Sequence, residues 1–444
     1  MNYIEQSDNI KYELYLTELN ENTVRQISLD QKEPERMLDH RLKCLNLLQR
    51  MKLPSRPDLS GLDLSQIVRY ARPTKEYEYS NDRNTVPDEL KDKFEKLGIP
   101  QAEREYLAGA GGQMDSSTVY HKLKAKREEK AIFEDMSVAI NKYPELVQKY
   151  FMKCVNESEH YFACLHGAIW SGGTFIYIPR VDLNQPLQAY FRMNTYGGGQ
   201  FEHTLIIIDD EAKAEYIECS APKFDKASLH AGLVEIFVGK KASMKYISVE
   251  NRSKNTYNLN TKRAIVDDDS YMQWLGGNMS CTTMLYPCSI LKGKNSKSDS
   301  FSIAIANSGQ NQDVGSKVIH IGENTSSQVI SKSISRNGIS TYRLVKMLPT
   351  ALNAHNLTKC DGMLVDVDSV SRAIPDINVM TDTGVVSHEA SAGKINEEFL
   401  FYIKSRVTTH QAESMIVNGF LADIVKRLPM EYAEFNKLIQ MEFE

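Results

Sequence analysis

The sequence predicts a mainly β protein: a parallel β-helix, or solenoid, over residues 155–390, with helical regions at 1–154 and 391–444. Three observations predict it. From Tyr161 onward the chain turns into short runs rich in β-branched and aromatic residues, among them GTFIYIP, HTLIIID, AEYIECS, LVEIFVG and SMKYISVE, with Gly, Asn and Asp between them; strands joined by tight turns read this way. No helical period intervenes, which argues against βαβ units. The turns also repeat: Asp210, Gly239, Asp268, Gly293 and Gly322 are separated by numbering steps of 29, 29, 25 and 29. A near-constant period of this length marks a repeat architecture, in which each rung buries its strands against the next. A β-sandwich is the alternative, and it has no reason to repeat at so constant an interval.

The N-terminal region reads as helical and loop-rich. Met37, Leu38, Leu42, Leu45, Leu47 and Leu48 fall near one helical stripe. Pro54, Pro57 and Pro73 then punctuate a polar linker, and VPDELKDKFEKLGIP opens a second helix with Pro87 in its first turn and Gly98 as its stop. After Ala390 helical texture returns, with Ile416, Phe420, Ile424 and Leu428 forming an i, i+4 ladder. That face either caps the solenoid within the chain or docks a partner.

Composition limits the function classes. With 25% charged and 41% apolar residues, the 444-residue chain reads as soluble and globular. The net charge of −5 supplies no basic field for nucleic acid. No apolar stretch approaches the roughly 18 residues of a membrane span. The acidic start, MNYIEQSDNIKYELYL, resembles neither a signal nor a transit peptide, so a cytoplasmic protein is expected, with the plastid stroma as the other reducing compartment. Seven widely spaced cysteines (44, 154, 164, 219, 281, 288 and 360) without a CxxC pair argue against disulfides and against a pre-formed zinc site. GKNSKS at Gly293 is not a Walker loop, and GAGG at Gly109 carries Met114 where a dinucleotide fingerprint needs its third glycine.

Counting nine positions beyond each turn gives Cys219, Ser248, Gly277, Ser302 and Ser331, and extrapolation at the same period reaches Cys360 and Glu389. This predicts one small, polar column joining two thiols to a carboxylate. It lines either the interior or a solvent-facing side. Thiolate and carboxylate with His388 nearby suit iron, although His388 and Glu389 face opposite ways in a regular strand.

At these residues the sequence resembles the SufB/SufD family of iron–sulfur cluster assembly proteins, in its SufB branch. The resemblance covers most of the chain: EPERMLDHRL, GTFIYIPR, YFRMN, YIECSAP, LHAGLVEI, NTKRA, CDGMLVD, HEASAGKI and MIVNGF occur in family order. It implies a right-handed parallel β-helix and a complex with a SufC-type ABC ATPase, docked on the C-terminal helices. It further implies a SufD-type paralogue, or a second copy, at the end of the solenoid, and a cysteine desulfurase system as sulfur donor. By resemblance Cys219 accepts persulfide sulfur, and Arg192, Asn194 and Glu202 belong to a sulfur path. Cys360 and Glu389, with His388, then hold a nascent, transient cluster, expected as 4Fe–4S. A flavin is associated with the family's complexes, and no motif here supports one. The implied role is an assembly scaffold, the ATPase activity residing in the partner; a SufD-type structural subunit without its own cluster site is the alternative, against which Cys360 counts. A carbohydrate-binding β-helix is a third reading, for which neither a charged groove nor a secretion signal is evident. Ser387 stands where the family often has Glu, and the N-terminal cysteine cluster of some members is absent.

Overall fold

The computed structural model describes residues 11–74, 107–123, 130–221 except 194 and 196, and 228–427 except 280, 308, 337–338 and 343–344. The helix expected at VPDELKDKFEKLGIP and the residue Leu428 lie outside the described residues.

Strands account for 43% of the structure, and a parallel solenoid of about seven turns dominates it. Three sheets of ten, nine and seven strands form its sides. One rung runs through Leu233–Val238, Ser243–Asn251 and Thr256–Asn258; the next, through Thr261–Val266, Tyr271–Met279 and Thr282–Leu285, lies on it in parallel register. Alternation sends every second residue inward. Inward positions stack as columns, Ile208 on Val238 on Val266 on Leu291, all buried. Tyr216, Tyr246 and Trp274 form an aromatic ladder with ring centroids 5.4 and 5.2 Å apart, within the range where such pairs add to burial.

The corners before six successive strands of the ten-stranded sheet, from Lys213–Ala221 to His355–Leu364, each hold a non-glycine residue with positive φ: Glu211, Lys241, Asp269, Asn295, Asn324 and Asn353, with φ between 54° and 61°. The numbering steps between these left-handed positions are 30, 28, 26, 29 and 29, the same as the register steps of the strands they feed. They, and not the Asp or Gly before them, mark the phase of the repeat. Only small polar side chains visit this region readily, and the last three corners are asparagines. Their amides form a ladder: Asn353 donates to Asn324 (3.2 Å), Asn324 to Asn295 (3.3 Å) and Asn295 to Asp269 (2.8 Å).

The two ends of the solenoid differ. At the N-terminal end the sheets continue into residues before 155. The hairpin Gly109–Met114/Ser117–Leu123 extends the ten-stranded sheet, and Ile132–Asp135 adds an antiparallel strand to the nine-stranded one. The GAGG run is thus a buried strand. Helices Glu21–Asp30, Glu35–Leu48 and Tyr161–Ile169 pack around this end. Arg41 is fully buried there, paired with Glu33 at 2.6 Å and set over the Trp170 ring at 4.6 Å.

At the other end Val370–Ala373, Ile377–Val379 and Val385–Lys394 are the last strands of their sheets. Each presents an unpaired backbone edge among the described residues. Ile377, Val379, Met380 and Val385 are 40–53% exposed around it. The helix Thr409–Val425, capped by Thr408 and Gln411, folds back onto the outer face of the ten-stranded sheet, so the C-terminal face is buried within the chain, on a side of the solenoid and not on its end. Its buried residues are Ala412, Val417, Leu421 and Ile424; Ile416 and Phe420 are only partly covered. This stripe is rotated from the one the i, i+4 ladder predicts. Ion pairs from Lys332 to Asp423 and from Arg336 to Glu413 fix the rotation.

Candidate functional site at the open end of the solenoid

Cys360 lies on the strand His355–Leu364, one rung from the open end, and is buried. Its side chain lines a cavity with Ser316, Ser331, Thr358, Pro375 and His388. Thr358 pairs in register with His388, and Cys360 with Ala390. Alternation therefore puts Thr358, Cys360 and His388 on one face. Burial, with the Asp361 carboxylate adding to it, pushes the Cys360 thiol up to about 11; its proton is held until a cation or base displaces it.

Glu389 is elsewhere. The strand Val385–Lys394 keeps its register without a bulge, so Glu389 points away from the cavity, exposed and 3.8 Å from Lys359. The predicted single column is corrected in the same way. Cys360 stacks on Ser331, Ser302, Gly276, Ser248 and Glu218. Cys219 stacks on Val249, Gly277, Ile303, Lys332 and Asp361. A count made at 29, 29 and 25 fails against register steps of 30, 28 and 26, and the step of 30 into the last strand moves Glu389 off as well.

Cys219 thus faces outward. It is buried in a cluster with Ile217, Ile247, Val249 and Tyr190, and the Gln188 amide reaches its sulfur at 3.7 Å. Arg192 is the register partner of Ala221 and shares the Cys219 face. Asn194 lies outside the described residues. Glu202 belongs to neither column; it contacts His230 in the interior.

The interior around Glu202 is a buried charge network that the sequence reasoning missed. Lys262 donates to Glu218 at 2.8 Å and to Glu250 at 3.0 Å, Arg252 approaches Glu250 at 3.4 Å, and Tyr246 donates to Glu218. Burial alone would raise both carboxyls. At Glu250 the Lys262 ammonium and the Arg252 guanidinium outweigh it and hold the group well below its ordinary range. At Glu218 burial wins and the net direction is upward. The signal was present: Lys262 shares strand parity with the buried Ala264 and Val266, a position where lysine needs partners.

Two known sequence families match this chain. Residues 191–420 match the SufBD core domain of SUF-system FeS cluster assembly, and residues 15–189 the SufBD protein N-terminal region. The chain belongs to the SufBD family. An iron–sulfur cluster assembly SufBD family protein of Staphylococcus aureus (strain MRSA252) is 46% identical over 435 residues, covering 96% of this chain and 93% of its own. That of Staphylococcus epidermidis (strain ATCC 12228) is 45% identical over the same length and shares. As a SufBD protein the chain serves iron–sulfur cluster assembly. No helix among its described residues is long and apolar enough to cross a membrane. Among those residues no group of three or more His, Cys, Asp or Glu side chains is placed to hold a metal ion. Cys360 and His388 are two side chains chemically able to donate to a metal from this cavity.

Proposed function

We propose that this SufBD protein is a SufB-type scaffold that builds an iron–sulfur cluster at its open end. The observation that carries the reading is that Cys360 and His388 share one cavity in the last two rungs, beside unpaired apolar strand edges. Thiolate and imidazole suit iron, which here is cargo. A second chain, either a SufD-type paralogue or a second copy, covers the edges and supplies the missing ligands; an exposed edge of this kind is a template for pairing. Cys219 takes sulfur when its thiolate attacks the outer sulfur of a donor persulfide from a cysteine desulfurase system and the donor leaves as thiolate. Because Cys219 and Cys360 face opposite sides of the sheet, sulfur reaches the cavity through the sheet or past the charged interior at Glu202 and Lys262. A SufC-type ATPase docks on the C-terminal helices, where Phe399, Phe401 and Tyr402 are 54%, 78% and 56% exposed. The nascent cluster is of the 4Fe–4S type, and Glu389 joins its ligands only after the last strand rearranges on assembly.

The test is anaerobic reconstitution of the full chain with its co-purified partners, ferrous iron, cysteine and a desulfurase, followed by visible absorption and Mössbauer spectra. Cys360→Ala is expected to form no cluster while retaining persulfide on Cys219. Normal cluster formation in that variant would overturn the assignment, as would persulfide on Cys164 or Cys288 with none on Cys219.

A further inference from the structure

A directed hydrogen-bond chain runs through the solenoid interior and ends at the cavity. Its members are Thr325, His320, Ser327, Asn356 and Thr358, all buried. With its proton toward the Gly322 carbonyl at 3.2 Å, the Thr325 hydroxyl accepts from His320 Nδ1, 2.8 Å away. His320 therefore carries its proton on Nδ1. Burial pushes this imidazole down to about 4, which keeps it neutral and leaves Nε2 bare. Ser327, 2.9 Å from Nε2, must donate to it. The Asn356 amide nitrogen donates to Ser327 at 2.8 Å, and the Asn356 carbonyl accepts the Thr358 hydroxyl at 2.9 Å. Every proton in the chain is committed, the last being that of Thr358.

Thr358 consequently offers the cavity lone pairs only. Its register partner across the last ladder, about 4.8 Å away in backbone spacing, is His388. Resting on the reading that Cys360 and His388 hold iron, we propose that Thr358 is a positioning residue. Its hydroxyl accepts the N–H of one His388 ring nitrogen and turns the other, unprotonated nitrogen toward the metal beside Cys360. A metal-bound histidine regularly donates its second N–H to such a partner, and losing the partner lowers metal affinity about 10- to 100-fold.

The experiment uses the full chain with ferrous iron, and with zinc(II) as a diamagnetic probe. Histidine-selective 15N NMR of the metal-free chain is expected to show His320 protonated on Nδ1. A proton on Nε2 would reverse the chain and overturn the proposal. Thr358→Val, checked for folding by thermal unfolding, is expected to bind iron(II) about 10- to 100-fold more weakly and to bind zinc(II) through a mixture of His388 nitrogens. Thr358→Ser restores the hydroxyl, and with it a single zinc-bound nitrogen and near wild-type affinity. Wild-type affinity and one His388 nitrogen in Thr358→Val would end the positioning role, while loss of iron binding in His388→Ala and Cys360→Ala would leave the site reading standing. Unchanged iron binding in those two variants would instead end the site reading.

Discussion

Cys219 and Cys360 belong to one parallel sheet and face opposite sides of it. Cys219 pairs in register with Val249, and the parity of the ladder places Cys360 with Ser248 instead. Neighbouring Cα atoms in a parallel pair lie about 4.8 Å apart, inside the range a disulfide tolerates. Val249→Cys is therefore expected to oxidise to a disulfide with Cys219 under mild oxidant, and Ser248→Cys is not. Peptide mapping by mass spectrometry reads both. A Cys219 disulfide in Ser248→Cys alone would mean that the register is wrong.

Lys262 holds two carboxylates together in the interior. Burial alone would lower its affinity for a proton, but Glu218 and Glu250 outweigh burial and keep it charged. Lys262→Met removes the cation and leaves two acids facing each other. Breaking a buried pair in this way costs about 3–5 kcal/mol. Denaturant titration should show that loss, and adding Glu218→Gln should recover part of it. A loss under about 1 kcal/mol would mean that water or a neighbour already compensates the acids.

Much of the fold was legible because its signals are local. Strand texture and corner spacing in HTLIIID or LVEIFVG need no tertiary knowledge. The site was legible only in part, and the reason is parity. A one-residue slip in a strand moves a side chain to the opposite face: the error of one at the Lys241 corner cancels at Asp269, where both counts reach Gly277, and the error of one at the Asn295 corner then sufficed to align Cys219 with Cys360. Asn295, Asn324 and Asn353 could have corrected the count, since asparagine tolerates the left-handed corner; Glu211 and Lys241 carry no such mark. The Lys262 network was visible only as a charge at an inward parity. The chain from His320 to Thr358 consists of ordinary residues, whose roles depend on who donates to whom.

The asparagine corners should also matter for stability. Asn324 both gives and receives an amide hydrogen bond in the ladder and sits at φ 54°. Asn324→Ala loses both bonds and leaves in the left-handed region a residue whose side chain cannot offset the strain by hydrogen bonding, a change of about 1–2 kcal/mol. Asn324→Gly loses the bonds but not the backbone fit and should cost less. Equal destabilisation of the two variants in urea would show that backbone strain contributes nothing at this corner.

A last expectation concerns pH. His166 Nδ1 faces the Ala231 carbonyl at 3.0 Å and so carries its proton there. Its Nε2 then accepts from His203 Nδ1, also at 3.0 Å, which leaves His203 Nε2 bare and 3.3 Å from Glu235 Oε2. A bare nitrogen beside a carboxylate is tolerable if Glu235 keeps a proton, and burial, opposed by backbone N–H donors at Val155, Cys154 and Met152, pushes that carboxyl up to about 7. Burial also pushes His203 down to about 3 and His166 well below its ordinary value. Below about pH 6.5 the unfolded chain takes up two protons that the folded histidines refuse, so stability falls with pH. Glu235 has the opposite sign: between about 7 and 4.5 the folded chain holds a proton that the unfolded chain has released, so its contribution grows as pH falls. The net effect from about pH 6 to 5 is one proton, or about 1.4 kcal/mol lost per pH unit from this cluster. Glu235→Gln keeps a neutral donor toward His203 but no longer titrates, so its loss over the same interval should be steeper by about one proton. Urea unfolding at pH 5, 6, 7 and 8 compares the two proteins, and every other titrating group cancels in the difference. Parallel curves would place the Glu235 carboxyl in its ionised form throughout and dismiss the retained proton.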